Sequence, residues 1–120
     1  ATPDRVKKVW QACLAEMDAA SLAGHFHNTY GMAIANIYQS LEQGIRVFDS
    51  SIAGLGGCPY AKGASGNVST EDLYYLLSNM GYDTGIDLDA LMIASQNISQ
   101  VLQRTNPSNY ANAYWQKRCA

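Results

Sequence analysis

Two histidines separated by one residue, His25 and His27, are the first side chains in the sequence that could act together in chemistry. They flank Phe26 in a segment for which composition and pattern predict a strand over 22–27. Successive side chains of a strand point to opposite faces, so both imidazoles are expected on one face and Phe26 on the other. Two neutral imidazoles on one side can share a metal ion. The alternative interpretation is a pair of polar side chains on a strand edge.

The second candidate is Cys58, which lies in a glycine-rich segment over 56–67 and is followed at once by Pro59. A free cysteine is usually buried and unreactive, but this segment has few apolar side chains that could cover one. A thiol in a loop beside a metal site can act as an acid or a base. The alternative is an ordinary surface thiol.

Two further polar residues extend the candidate site. Asn67 closes the glycine-rich segment and offers an amide oxygen, a ligand suited to Mg²⁺ or Mn²⁺. Asp49 ends a second predicted strand over 45–49. In open α/β sheets and barrels, sites lie at the carboxyl ends of the strands, where the histidines also fall. The alternatives are that Asn67 is a turn residue, that Asp49 caps or orients its neighbours, and that Tyr60 is a packing residue.

Helices are predicted around these strands. The first begins at Pro3 after a Thr2 cap, and the second spans 29–43 and ends before Gly44. A capping-box-like start at 69–72 predicts a third helix that ends at Gly81, and a last helix covers 88–102. The positions predicted to face inward are Val6, Val9, Trp10, Cys13, Leu14, Met17, Ala33, Ile34, Ile37, Tyr38, Leu41, Leu73, Leu76, Leu77, Leu88, Leu91, Met92, Ile98 and Leu102.

Strands that alternate with helices indicate the α/β class with parallel βα units. Only two strands are predicted, and a two-stranded parallel sheet cannot be covered on both faces as such sheets require. The chain is therefore expected to be part of a larger α/β sheet or barrel.

Composition excludes several classes of function. The net charge is −2 and no basic run exceeds two residues, which argues against nucleic-acid binding. No segment approaches the roughly 20 apolar residues of a membrane span, and residues 1–10 lack an apolar signal segment. The three cysteines, Cys13, Cys58 and Cys119, are too sparse for a disulfide framework and indicate a reducing compartment.

Residues 50–60, SSIAGLGGCPY, closely resemble the active-site signature of 3-hydroxy-3-methylglutaryl-CoA lyases. The flanking residues agree, at 24–31 (GHFHNTYG), at 61–67 (AKGASGN) and at 70–72 (TED). The resemblance covers roughly residues 1–104 and fades in a polar tail over 105–120. Related barrel enzymes that condense acetyl-CoA with 2-oxo acids are similar at the histidine pair but lack this cysteine.

The resemblance implies the C-terminal βα units of a (β/α)₈ TIM barrel, followed by an extra C-terminal helix. The family cleaves 3-hydroxy-3-methylglutaryl-CoA to acetyl-CoA and acetoacetate, in leucine degradation and ketone-body formation, and uses Mg²⁺ or Mn²⁺. By this resemblance His25, His27 and Asn67 match metal ligands, and His25 also matches an acid/base residue. Cys58 matches the catalytic cysteine. The residues that match the substrate loop around it are Gly56, Gly57, Pro59 and Tyr60.

Two departures from the family pattern stand out. Asn28 replaces the usual aspartate, which exchanges a charge for an amide beside the metal. Nothing matches the family's first strand, which carries an arginine and a further aspartate ligand. The chain is therefore expected to be the last quarter or third of a lyase and to be inactive alone. The alternatives are a non-enzymatic or complementing fragment, and a related superfamily aldolase or condensing enzyme.

The expected partners are an acyl-CoA substrate and either further copies of the chain or the N-terminal part of the barrel, with no nucleic acid and no membrane. Lys62 is the candidate contact to the CoA nucleotide, by proximity to the loop. The expected location is a bacterial cytoplasm or a mitochondrial matrix.

Overall fold

The computed structural model describes residues 1–57 and 65–119. In these ranges the α-helices and strands are α1 Pro3–Leu14, β1 Ala23–His25, α2 Ala33–Glu42, β2 Val47–Asp49, α3 Thr70–Asn79, α4 Leu88–Val101 and α5 Asn109–Cys119. Short 3-10 turns lie at Ala19–Ser21 and Ile52–Gly54. Contacts group the chain into a first unit, Ala1–Asp49 with Gly57–Val68, and a second unit, Ser50–Gly56 with Ser69–Ala120. No helix in the described ranges is both long and apolar enough to cross a membrane.

The strands of the first unit form the predicted parallel pair. Ala23 pairs with Val47, and the register runs to His25 opposite Asp49. Both strands are shorter than predicted: β1 ends at His25, because His27 forms a separate bridge with Asn67, and β2 begins only at Val47. Gly24 has a steric reason to be glycine, since a Cβ there would lie 2.8 Å from a ring carbon of Phe48. The pair places the ends of β1 and β2 side by side.

The core of the first unit lies under this strand pair. Val6, Trp10 and Ile45 are buried together, and Phe26 and Phe48 pack against them. Burying these apolar side chains stabilises the unit by roughly 1.5–3 kcal/mol for each one that leaves water completely. The indole N–H of Trp10 donates to the Ser40 hydroxyl of α2 at 2.6 Å, so the ring's one polar atom is satisfied inside the core. Cys13 also packs against the cluster, as predicted.

Three predictions of inward-facing residues in the first unit are wrong. Val9 is 58% exposed and Met17 is 48% exposed. α1 ends at Leu14, so Met17 falls beyond it, and Val9 lies on the outer side of the helix. Tyr38 of α2 is likewise 48% exposed, because the buried stripe of that helix runs through Ala33, Ile37 and Leu41.

The helices of the second unit begin at side-chain caps. The Ser69 hydroxyl accepts from the Asp72 N–H at 3.2 Å, as the capping-box-like pattern predicts. In the same way the Asp87 carboxylate accepts from the Ala90 N–H at the start of α4. Leu91 and Met92 are buried as predicted, whereas Leu102 is 49% exposed because it follows the last residue of α4.

The polar tail holds α5, a helix for which the sequence pattern predicted no element. Its start is fixed by Asp72, whose carboxylate accepts from the Ser108 hydroxyl at 2.8 Å and from the Tyr110 N–H at 2.9 Å. Near its end, Tyr114 and Arg118 both donate to Asp89 of α4. The Tyr114 hydrogen bond and the Arg118 charge lower the pKa of the Asp89 carboxyl. Polar contacts and the packing of the Tyr110 ring on Tyr75 of α3, rather than an aliphatic stripe, hold α5. The boundary at residue 104 stays a prediction.

Candidate functional site

The two histidines lie together, as predicted. The ring centroids of His25 and His27 are 5.3 Å apart, and the rings are tilted by 47°. Phe26, which lies between the two histidines in the sequence, packs against the core, so the imidazoles share the opposite face. His25 is the last residue of β1, and His27 lies just beyond the strand. The pair therefore stands at the carboxyl end of a parallel strand, where α/β sheets place their sites.

Asp49 orients His25. The two residues are register partners at the ends of β1 and β2, and Nδ1 of His25 lies 3.1 Å from the Asp49 carboxylate oxygen. Both side chains are accessible, with 54% of His25 and 65% of Asp49 exposed. When Nδ1 donates to a carboxylate, Nε2 is the lone-pair nitrogen left for a ligand or a proton. This contact is the one that the orienting alternative for Asp49 predicts.

Asn67 is brought to His27 by a backbone pairing. An antiparallel bridge joins the two residues, and hydrogen bonds flank it on both sides. The Val68 N–H donates to the Phe26 carbonyl and the Asn28 N–H donates to the Gly66 carbonyl, each at 3.1 Å. The three predicted metal-ligand residues, His25, His27 and Asn67, therefore lie in one local structure.

Asn28 contacts the start of α2. Its amide oxygen accepts from the Ala33 N–H at 3.2 Å. The aspartate that the resemblance leads us to expect at this position would offer the same acceptor and would add a negative charge next to His27.

The residues of the glycine-rich segment are only partly described. Gly56 has φ +89°, a conformation that favours glycine, and Gly57 is exposed. Cys58, Pro59, Tyr60 and Lys62 lie outside the described residues. Across residues 1–57 and 65–119, no group of three His, Cys, Asp or Glu side chains is arranged to hold a metal ion. The described donors are thus two imidazoles and one amide.

The sequence reasoning missed Glu71. Glu71 lies in the predicted helix start at 69–72, but it is fully buried and its carboxylate contacts the Ile52–Gly54 turn. Its two carboxylate oxygens lie 3.0 and 3.1 Å from the Ala53 nitrogen. No local signal reveals such a contact, because its partners are distant in the sequence.

Known proteins similar to the chain agree on one family. The HMGL-like family model matches residues 1–98. The hydroxymethylglutaryl-CoA lyase of Pseudomonas mevalonii is 55% identical over 106 residues, which cover 88% of the chain and 35% of that lyase.

Two solved structures are similar in fold and in sequence. The hydroxymethylglutaryl-CoA lyase from Pseudomonas aeruginosa has a TM-score of 0.92 and 52% identity, covering 98% of the chain and 39% of that structure. The HMG-CoA lyase from Acinetobacter baumannii, solved in complex with coenzyme A and 3-methylmalate, has a TM-score of 0.88 and 42% identity, covering 94% and 37%. The chain spans about a third of the length of the curated relatives that it matches.

Proposed function

The chain belongs to the HMGL-like family, and we propose that it supplies part of the active site of a metal-dependent carbon–carbon lyase. The reaction is the cleavage of 3-hydroxy-3-methylglutaryl-CoA to acetyl-CoA and acetoacetate. The observation that carries the proposal is the imidazole pair of His25 and His27 at the end of β1. Asp49 contacts the ring of His25, and Asn67 pairs with the backbone of His27. The lyase names of similar proteins support the same reaction.

The proposed cofactor is a single Mg²⁺ or Mn²⁺ ion. Two imidazole nitrogens and an amide oxygen are donors that Mn²⁺ and Mg²⁺ accept, and the Asp49 contact to His25 is the kind of hydrogen bond that orients a ligating histidine. These hard cations take six or more ligands and favour carboxylates. We propose that a further carboxylate ligand comes from the part of the lyase that this chain does not match, with Asp49 kept as the partner of His25.

The strand pair is proposed to be one portion of a (β/α)₈ barrel, with helices that follow it. Eight strands close such a barrel, and within the described ranges, β1 and β2 are the two strands of the sheet and pair with each other alone. Val47 of β2 is 53% exposed, as expected of a strand that packs against further elements. The remaining strands would come from an N-terminal segment or from further copies of the chain.

Each proposed site residue has a role in the cleavage. When bound, the metal polarises the substrate's hydroxyl and carbonyl oxygens. As the base, His25 accepts the hydroxyl proton at Nε2, the nitrogen that would otherwise bind the metal, while Nδ1 contacts the Asp49 carboxylate that holds the ring in place. As the carbon–carbon bond breaks, the thioester enolate needs a proton, and we assign that transfer to Cys58. Gly56, Gly57, Pro59 and Tyr60 form the proposed substrate loop.

The proposed substrate is an acyl-CoA, which agrees with the coenzyme A bound to the Acinetobacter baumannii lyase. Lys62 is the proposed contact to its nucleotide. The proposed location is a bacterial cytoplasm or a mitochondrial matrix.

We expect the chain to release no acetoacetate alone and to do so once the N-terminal part of the Pseudomonas mevalonii lyase is supplied with Mg²⁺ or Mn²⁺. In that complemented enzyme, Cys58→Ala should lower turnover by about a hundredfold or more, since a positioned acid contributes 10²–10⁴-fold. The matched control is Cys119→Ala, which removes a thiol from the tail and should leave turnover within about twofold. The measurement is metal-dependent acetoacetate release.

Three results would count against this assignment. One is turnover by the isolated chain at the rate of a full barrel. Another is full activity in the Cys58→Ala enzyme. The third is activity on acetyl-CoA and a 2-oxo acid with none on the lyase substrate, which favours a condensing enzyme of the same superfamily.

A further inference from the structure

We propose that Glu71, Ser95 and Asn106 are positioning residues that fix the Ile52–Gly54 turn, from which the glycine-rich segment continues. The inference rests on the proposed function for its catalytic consequence. It goes beyond that function because none of the three residues is part of the metal site or the cysteine signature.

Glu71 holds the turn through its backbone. Both of its carboxylate oxygens face the Ala53 N–H, and Glu71 and Ala53 are each fully buried. Ala53 adopts φ 51° and ψ 26°, a left-handed conformation that costs an L-residue with a Cβ about 1 kcal/mol or more. A buried carboxylate aimed at the N–H of this residue offsets that cost and selects the conformation.

Two further hydrogen bonds, from α4 and from the segment after it, hold the Glu71 carboxylate in position. The Ser95 hydroxyl of α4 donates to Glu71, and the Asn106 amide donates to the Ser95 oxygen at 2.7 Å. Ser95 is fully buried. The described polar partners of Glu71, the Ala53 N–H and the Ser95 hydroxyl, are therefore both neutral donors.

A second set of hydrogen bonds joins the tail, residues 105–120, to the first turn of α3. Asp72, the neighbour of Glu71 in α3, accepts from Ser108 and from the Tyr110 N–H at the start of α5. The Ser108 N–H in turn donates to the Asn106 side chain at 2.9 Å. The first turn of α3 therefore links the 52–54 turn on one side with residues 106–110 of the tail on the other.

This arrangement assigns the tail a part in the reaction without contact to substrate. Only three residues lie between Gly54 and Cys58 in the sequence. An error of about 1 Å in the placement of a reacting group can cost about a hundredfold in rate. Loosening the turn should therefore lower the rate of the chemical step more than substrate binding.

The test uses Ser95→Ala and Asn106→Ala, with Glu71→Gln as the variant that keeps size and one acceptor oxygen. The controls are Ser78→Ala and Asn79→Ala, which remove the same group types from the last turn of α3 in the same unit. Amide hydrogen exchange at Ala53, measured by NMR on the chain, should accelerate by about tenfold in the first two variants. Exchange at the Asn36 amide of α2, which donates to the Met32 carbonyl in the first unit, serves as the internal reference.

In the complemented enzyme, Ser95→Ala and Asn106→Ala should each lower kcat by about tenfold and leave KM within about twofold. Glu71→Gln should retain more activity than Glu71→Ala. Unchanged exchange at Ala53 overturns the network. Faster exchange with unchanged kcat shows a merely structural role and overturns the positioning claim. If no complemented preparation cleaves the lyase substrate, the proposed function fails, and the exchange rates still decide whether the three residues fix the turn.

Discussion

Replacing His27 with alanine is expected to lower acetoacetate release by the complemented enzyme by about 10²- to 10³-fold. The variant removes one of two imidazoles whose rings are 5.3 Å apart. A bound metal contributes several kcal/mol of charge stabilisation to a reaction of this kind, and each 1.36 kcal/mol corresponds to a tenfold change in rate. The His27–Asn67 pairing is made by the backbone, so alanine should leave the local structure in place.

The comparison variants for this prediction are His27→Gln and Lys8→Ala. Glutamine restores an oxygen donor and should recover part of the activity at high Mn²⁺, whereas Lys8 is an exposed residue of α1 and its replacement should change nothing. Steady-state rates over a range of Mn²⁺ concentrations give the result. Activity in His27→Ala within threefold of the parent at saturating Mn²⁺ would remove His27 from the metal site.

Replacing Trp10 with alanine is expected to destabilise the chain by about 3–5 kcal/mol, the cost typical of truncating a buried aromatic residue. Trp10 is 8% exposed, packs with Val6 and Ile45, and donates to Ser40. Trp10→Phe should cost less, because it keeps most of the apolar contact and loses mainly the hydrogen bond, about 1–3 kcal/mol. Since small domains are stable by only about 5–15 kcal/mol, the alanine variant should be close to unfolding.

Urea denaturation followed by far-UV circular dichroism measures this effect. The control is Val9→Ala in the same helix, where 58% of the side chain is exposed and the expected loss is below about 0.5 kcal/mol. Equal losses for Trp10→Ala and Val9→Ala would mean that the described core is not what stabilises the first unit.

Local physical rules were enough to predict the parts of the fold that depend on neighbours in the sequence. Proline at the first position of α1 marks its start, and Gly44 and Gly81 follow α2 and α3 with positive φ. The two-residue repeat of a strand placed Phe26 in the core and the imidazoles opposite it. These features follow from backbone geometry within a few residues.

Contacts between distant residues were beyond such rules. The pairing of His27 with Asn67 depends on how the segment before α3 folds back, and the Glu71 contact depends on a left-handed residue at Ala53. The sequence pattern did not predict α5 for another reason. Aromatic and polar contacts stabilise this helix, and it has no aliphatic stripe. The sequence did contain one signal for this helix. Ser108 is a helix-start residue whose hydroxyl accepts from the Ala111 N–H, and apolar residues follow it at helical spacing: Tyr110, Ala111, Tyr114 and Trp115.

The glycine-rich segment illustrates how a signature and a structure complement each other. Its sequence, from Gly56 through Tyr60, is what carries the resemblance to the lyases. The described residues on either side of it, the 52–54 turn and Asn67, explain how its two ends are held.

The most direct test of the metal-site assignment is paramagnetic line broadening in the isotope-labelled chain on titration with Mn²⁺, which detects weak binding without catalysis. We expect the ring signals of His25 and His27 and the side-chain amide signal of Asn67 to broaden first. In His27→Ala, these signals should no longer broaden before the others. Broadening centred instead on the exposed acids Asp83, Asp87 and Asp89, or spread evenly over the chain, would contradict it.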